Sequence, residues 1–312
     1  MTDARRSASG VALVLGSCVS LQFGAALATQ LFPDLGSWGV TALRLGIAAL
    51  VMLLVARPRV RSWTGGQWRG VIVLGIAMAG MKGFFYASIG LIPLSAAVTI
   101  EFVGPLLLSA LLSGRRLDAL WLAIAALGLA AIGVESMAGV TALDPLGVAF
   151  ALIAAVFWMG YILASARVGS SVPGPSGLAV ALVISALVVL PFGLPGIVAA
   201  TFDARVIILA IATAVLASAL PYSLELSALR RLPRHVFSIL LSLEPVAAAF
   251  VGWMLLQQPS GLLRLTAIAL VIVASLGTTI SNTARPTPPT ARTRSSRRER
   301  TSPSAVGARR GE

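Results

Sequence analysis

Hydrophobic residues in this chain come in long unbroken runs, and polar residues are mostly confined to the short gaps between them. The runs show neither the strict alternation of a half-buried strand nor the narrow stripe of a helix lying on a soluble core. Each covers roughly 18–25 residues, the length a helix needs to cross a hydrocarbon layer about 30 Å thick, and too long and unalternating for barrel strands. Ten spans are expected, near 10–31, 37–56, 69–91, 94–113, 118–137, 145–166, 176–195, 205–229, 235–256 and 262–281. The expected fold class is an all-α polytopic membrane protein. The first run, with Arg5 and Arg6 ahead of it and Ala26-Leu27-Ala28 near its end, has the look of a signal peptide. It is read as a span, because its removal would spoil the five-plus-five division described next.

The fourth run organises the rest. It opens at Pro93, reaches Glu101 after seven uncharged residues, passes Gly104-Pro105 and meets no further charge up to Ser113. A carboxylate at such depth costs roughly 2.5–3.5 kcal/mol on insertion scales, so its default reading is a functional group facing a cavity. Pro105 has no N–H to give to the carbonyl of residue 101, and its ring crowds that carbonyl, so the helix is weakened beside its own carboxylate. The pattern returns in the ninth run, where Pro233 is followed twelve residues later by Pro245, with Glu244 just ahead of it, as Pro93 is followed twelve residues later by Pro105.

Loop charge gives this recurrence its meaning. With the N-terminus inside, twenty Lys and Arg fall on the inner side and only Arg205 and Arg264 on the outer side, so both termini are expected in the cytoplasm. The loop before Pro93 is then uncharged and outer, whereas Arg230-Arg231-Leu232-Pro233-Arg234 is inner. Equivalent elements enter the membrane from opposite faces, which an odd number of spans per repeat requires. The chain reads as two inverted five-helix repeats, 10–137 and 145–281, flanked by a cytoplasmic segment 1–9 and a tail 285–312, with a substrate site near midplane between the halves.

Composition narrows the function. A content of 57% hydrophobic and 11% charged residues leaves no room for a soluble fold. The formal charge of +13 does not imply a nucleic-acid partner, because eight arginines sit in the tail against Glu299 and Glu312, among Pro, Thr and Ser. That composition suits a disordered cytoplasmic tail able to touch anionic membrane lipid. Cys18 is the single cysteine, which excludes an intramolecular disulfide and a cysteine metal cluster.

The ionisable residues within the runs are Arg44, Lys82, Glu101, Glu225 and Glu244, with Glu135 close to an outer end. At about 1.5 Å per residue, Arg44 and Glu101 lie roughly 10 Å and Lys82 about 13 Å below the outer boundary, so the three can meet at one level. They read as a zwitterion site, with cations for a substrate carboxylate and Glu101 for an amine or a proton, or else as a buried ion pair that fixes helix register. By the same arithmetic Glu244 lies about 12 Å and Glu225 about 6 Å from the inner boundary. Tyr222 shares a helix face with Glu225, below Pro221, which frees the carbonyl of residue 217. Glu225 reads equally as an interfacial residue or a partner of Arg230 or Arg231, while Glu244 beside Pro245 is more central. Lys82 with Tyr86, and Trp158 with Tyr161, share faces and either pack between helices or wall a cavity.

The inventory argues against an enzyme. His235 is the only histidine, no Ser–His pairing or metal cluster is available, and there are no paired intramembrane Asp residues. No metal or other cofactor is expected. A Walker lysine motif is absent too, so transport would be secondary rather than ATP-driven. A non-transporting scaffold or sensor acting through the basic tail is the competing class, but it has no need of polar residues at mid-depth.

Six segments carry a resemblance: Gly39-Val-Thr-Ala-Leu-Arg44-Leu, Gly80-Met-Lys-Gly-Phe-Phe-Tyr86, Glu101-Phe-Val-Gly-Pro105, Trp158-Met-Gly-Tyr-Ile-Leu163, Leu220-Pro-Tyr-Ser-Leu-Glu225 and Ser242-Leu-Glu-Pro245. Together, over residues 10 to 282, the chain resembles the threonine/homoserine exporter branch of the EamA family, in the drug/metabolite transporter superfamily. The resemblance implies a ten-helix inverted-repeat carrier of the bacterial inner membrane that exports small amino acids and is driven by the proton gradient. It also implies that the first four helices of each half surround the cavity while the fifth packs to the side. Lys82 departs from the pattern, since a neutral Asn-like residue is expected there. An added cation bears on substrate charge, so other amino acids, amines or drugs stand as the alternative cargo.

Overall fold

The structure is a computed structural model and describes residues 3–113, 116–137, 143–229, 231–232, 234–258 and 261–283. Pro233 and the tail from Arg285 lie outside the described residues. The regular structure among them is helical: α1 (Asp3–Thr29), α2 (Phe32–Ala56), α3 (Gly65–Ile89), α4 (Leu94–Glu101), α5 (Val103–Ser113), α6 (Arg116–Met137), α7 (Pro145–Ser171), α8 (Ser176–Ala199), α9 (Ala204–Ala214), a π-helical turn at Val215–Ala219, α10 (Leu220–Leu229), α11 (Arg234–Leu241), α12 (Glu244–Leu256) and α13 (Leu262–Thr283). Eight helical stretches are long and apolar enough to cross a membrane, and two shorter apolar ones, Ala119–Ile132 and Ala204–Ser218, lie where the fifth and eighth spans are expected. Large apolar side chains such as Leu54, Val55, Leu187 and Val198 face outward, as lipid contact requires. The protein is an all-helical polytopic membrane protein.

Several helix ends follow from capping chemistry. α3 starts four residues ahead of the expected span because Thr64 accepts from the Gln67 amide N–H while the Gln67 side chain accepts from Thr64 N–H at 2.8 Å, a reciprocal capping box. Asp144 and Asp203 cap α7 and α9 by accepting from Leu146 N–H and Val206 N–H, at 2.7 and 2.8 Å. α2 begins before its expected start, but Gly36 at φ +67° kinks it, so the regular span begins near the expected position.

Two expected spans are divided. α4 ends at Glu101 and α5 resumes at Val103, where Pro105 offers no N–H to the Glu101 carbonyl. In the ninth span α11 ends at Leu241 and α12 resumes at Glu244, with Pro245 in its first turn, where a missing N–H is harmless. In both, the first piece is an eight-residue helix.

Packing pairs α2 with α8, α6 with α13, and α4 with α12, while α3 lies on α7 and α8, and α1 on α10, α12 and the π turn. Gly104 lets α5 meet α7 closely, since a Cβ there would run into the Ala155 carbonyl. The sequence reading placed Arg264 in an outer loop. It instead sits in the first turn of α13, 0% exposed, with Nε 3.2 Å from Glu135 Oε2 on α6. The two helices that pack side by side are thus joined by a buried ion pair.

Candidate functional site

A cavity of about 240 Å³ lies at the centre of the helices, room for about eight waters at roughly 30 Å³ each. Its wall comes from α1, α2, α3, α4, α7, the π turn and α10 to α12; none of its lining residues belongs to α6, α8 or α13. The structure brings Arg44, Lys82, Tyr86, Glu101, Trp158, Tyr161, Pro221, Glu225 and Glu244 onto this one wall. Tyr222 lies on α10, but its side chain is outside the described residues. Pro105 and Pro245 act on helix geometry next to Glu101 and Glu244 and do not line the cavity.

Arg44 is the most constrained of the charged groups. Its Nη1 donates to the Tyr86 hydroxyl at 3.0 Å and to the Ala217 carbonyl at 3.4 Å, and its guanidinium carbon stands 4.7 Å from the centre of the Tyr86 ring. The Ala217 carbonyl is available because Pro221, four residues on, has no N–H to give it. The π turn widens the local backbone, with Leu220 N–H bonding the carbonyl of Val215, and such turns recur at functional sites. α1 uses the same opened backbone, where Ser20 Oγ donates to the Leu216 carbonyl at 2.8 Å, and Ser17 Oγ lies 3.4 Å from the Pro221 carbonyl. Gly24 permits this approach, since a Cβ there would stand 2.6 Å from Ala217 N. Arg44 Nε is buried without a partner among the described residues.

Glu101 is 7% exposed at the last turn of α4. Neither Lys82 nor Arg44 comes within 4.0 Å of it as an ion pair; among the described residues the buried pair joins Glu135 and Arg264 instead. Lys82 shares the cavity wall with Glu101, Arg44, Glu244 and Glu225. Glu225 accepts from Ser17 Oγ at 2.7 Å and faces the cavity, while Arg231 donates to Ser9 Oγ at 3.2 Å. Two cations therefore face three carboxylates across a small enclosed space.

Trp158 stands edge-on to Phe102, the residue at the break between α4 and α5, with ring centroids 5.2 Å apart. Residues that the sequence reading passed over also line the wall, among them Leu21, Gln22 and Ala25 of α1 and Phe85 of α3. Gln22 is 2% exposed and its Oε1 has no partner among the described residues, a state that costs about 1–3 kcal/mol. A signal was present: Gln22, with Ser17 and Ser20, breaks an otherwise apolar run. The described residues contain no group of three or more His, Cys, Asp or Glu placed to hold a metal ion.

Residues 145–280 match the EamA-like transporter family. The threonine/homoserine exporter RhtA of Escherichia coli (strain K12) is 37% identical over 274 residues, 87% of this chain and 91% of the relative. The corresponding exporter of Salmonella typhimurium (strain LT2) is 36% identical over the same shares. A crystal structure 19% identical in sequence superposes with a TM-score of 0.55, over 90% of this chain and 98% of its own, which shows the fold alone. With identity of this order maintained across nearly the whole length, the chain belongs to the EamA-like transporter family and is a transporter rather than an enzyme.

Proposed function

We propose that the protein is a secondary exporter of small zwitterionic amino acids, of the threonine and homoserine kind, in the bacterial inner membrane. The observation that carries this reading is the gathering of Arg44, Lys82, Glu101, Glu225 and Glu244 on one cavity of about 240 Å³. With all five ionised, the wall has one surplus negative charge, which a proton on a carboxylate neutralises, whereas a zwitterionic substrate brings one charge of each sign and leaves it unchanged. A neutral amino acid offers its carboxylate to Arg44 and Lys82 and its ammonium to the carboxylates. Proton and ammonium then compete for Glu101, and swapping one for the other couples export to proton entry. The relatives' names support the substrate class. Lys82 favours cargo that carries a carboxylate over purely cationic amines.

The architecture proposed with it is ten spans in two inverted repeats, 10–137 and 145–281, with both termini cytoplasmic and the basic tail against anionic lipid. Support comes from the paired breaks at α4–α5 and α11–α12 and from the symmetry of the packing. Exchanging the halves turns the α3–α7 contact into that of α10 with α1, and the α4–α7 contact into that of α11 and α12 with α1. Arg264, buried against Glu135, leaves Arg205 as the one basic residue of the expected outer loops.

Overproducing cells test the substrate class. They should survive growth-inhibitory homoserine or a toxic threonine analogue and retain less labelled threonine. Unchanged sensitivity and retention at confirmed membrane abundance would reject it.

A further inference from the structure

The geometry points to Gln22 as the residue that selects the side chain of the transported molecule. This inference rests on the reading of the cavity as an amino-acid site and deepens it. The charged groups on the wall account for a substrate's carboxylate and ammonium, which leaves the neutral polar groups for whatever else the substrate carries. The Tyr86 hydroxyl already accepts from Arg44. Gln22 is different: it lines the cavity, it is 2% exposed, and its amide oxygen has no partner among the described residues. The other lining residues of α1, Leu21 and Ala25, offer no hydrogen bond from their side chains.

An amide presents both an acceptor and a donor, and a hydroxyl is its complement in both senses. An ammonium, by contrast, is better served by the carboxylates opposite. The last torsion of a glutamine side chain is soft, so either end of the amide can turn toward the cavity. A hydroxylated side chain then satisfies Gln22, whereas an isosteric apolar one leaves it unpaired. Sites built on such a bond reject the analogue lacking the hydroxyl far more strongly than apolar pockets reject an added one.

The test uses the full-length protein in proteoliposomes loaded with labelled threonine or with valine, which has a methyl in place of the hydroxyl. Gln22→Met removes the amide at nearly constant volume and should lower the threonine-to-valine ratio at least about tenfold, with valine efflux maintained or raised. Retained valine efflux also reports that the variant is folded. Gln22→Ala, which removes the amide with no added bulk, is read in the same way. An unchanged ratio in either active variant overturns the role of Gln22. Loss of both substrates from both variants at normal abundance overturns it as well, because the amide would then serve something other than the side chain. Wild-type threonine efflux no faster than from protein-free vesicles would instead reject the proposed function, a separate outcome.

Discussion

Arg44 Nη1 donates to the carbonyl of Ala217 at 3.4 Å, the oxygen that Pro221 cannot serve. A cation of α2 is thus held by the backbone of another span, through a vacancy that a proline creates. The same nitrogen reaches Tyr86, so one side chain ties together α2, α3 and the π turn at the cavity wall.

Arg44→Lys should keep the charge yet lose the planar fork and the stacking on Tyr86. Hydrogen bonds from charged groups contribute about 1.5–3 kcal/mol each, so efflux should fall roughly 10- to 100-fold while membrane abundance stays near wild type. Transport assays normalised to quantitative immunoblots measure this. Efflux within a factor of two of wild type would show that the fork is dispensable.

The Glu135–Arg264 pair is remote from the cavity and should act on stability alone. Removing one partner of a buried pair typically costs about 3–5 kcal/mol, whereas replacing both by apolar residues is often neutral. Arg264→Met should therefore lower the melting temperature in detergent, and Glu135→Leu combined with Arg264→Met should restore most of it together with wild-type efflux. A double variant as unstable as the single one would contradict this.

Much of the site was legible from the sequence because charge inside a membrane span is conspicuous. Arg44, Lys82, Glu101, Glu225 and Glu244 stood out one by one, and Pro105 and Pro221 marked where the backbone would open. Gln22 was missed because an uncharged amide raises a weaker alarm, and only its burial without a partner draws attention to it. Arg264 was misplaced because a basic residue shortly after Gln258-Pro259-Ser260-Gly261 reads as loop, and its partner lies 129 residues away in sequence. The division of the ninth span follows the recurrence of the proline pattern, with Pro245 in the first turn of α12. The separation of α6 and α13 from the cavity wall came from the resemblance, not from periodicity.

The inverted arrangement can be checked in a Cys18→Ser background. Leu91, 42% exposed, precedes α4, and Arg231, also exposed, precedes α11. A cysteine at Leu91 should react with an impermeant thiol reagent added to intact cells, and one at Arg231 should react only after permeabilisation. Equal labelling of the two in intact cells would refute the inversion.

The most direct measurement is proton-driven threonine efflux by purified wild-type and Glu101→Gln protein, reconstituted at equal amounts. Glu101 has no ion-pair partner within 4.0 Å among the described residues, so its amide variant should insert and fold normally. Wild type should release threonine in response to an imposed pH gradient. Glu101→Gln should show no efflux above protein-free vesicles, and adding Lys82→Met should not rescue it. Near-normal gradient-driven efflux by Glu101→Gln would contradict the proposed exchange at Glu101 and move the coupling role to Glu244.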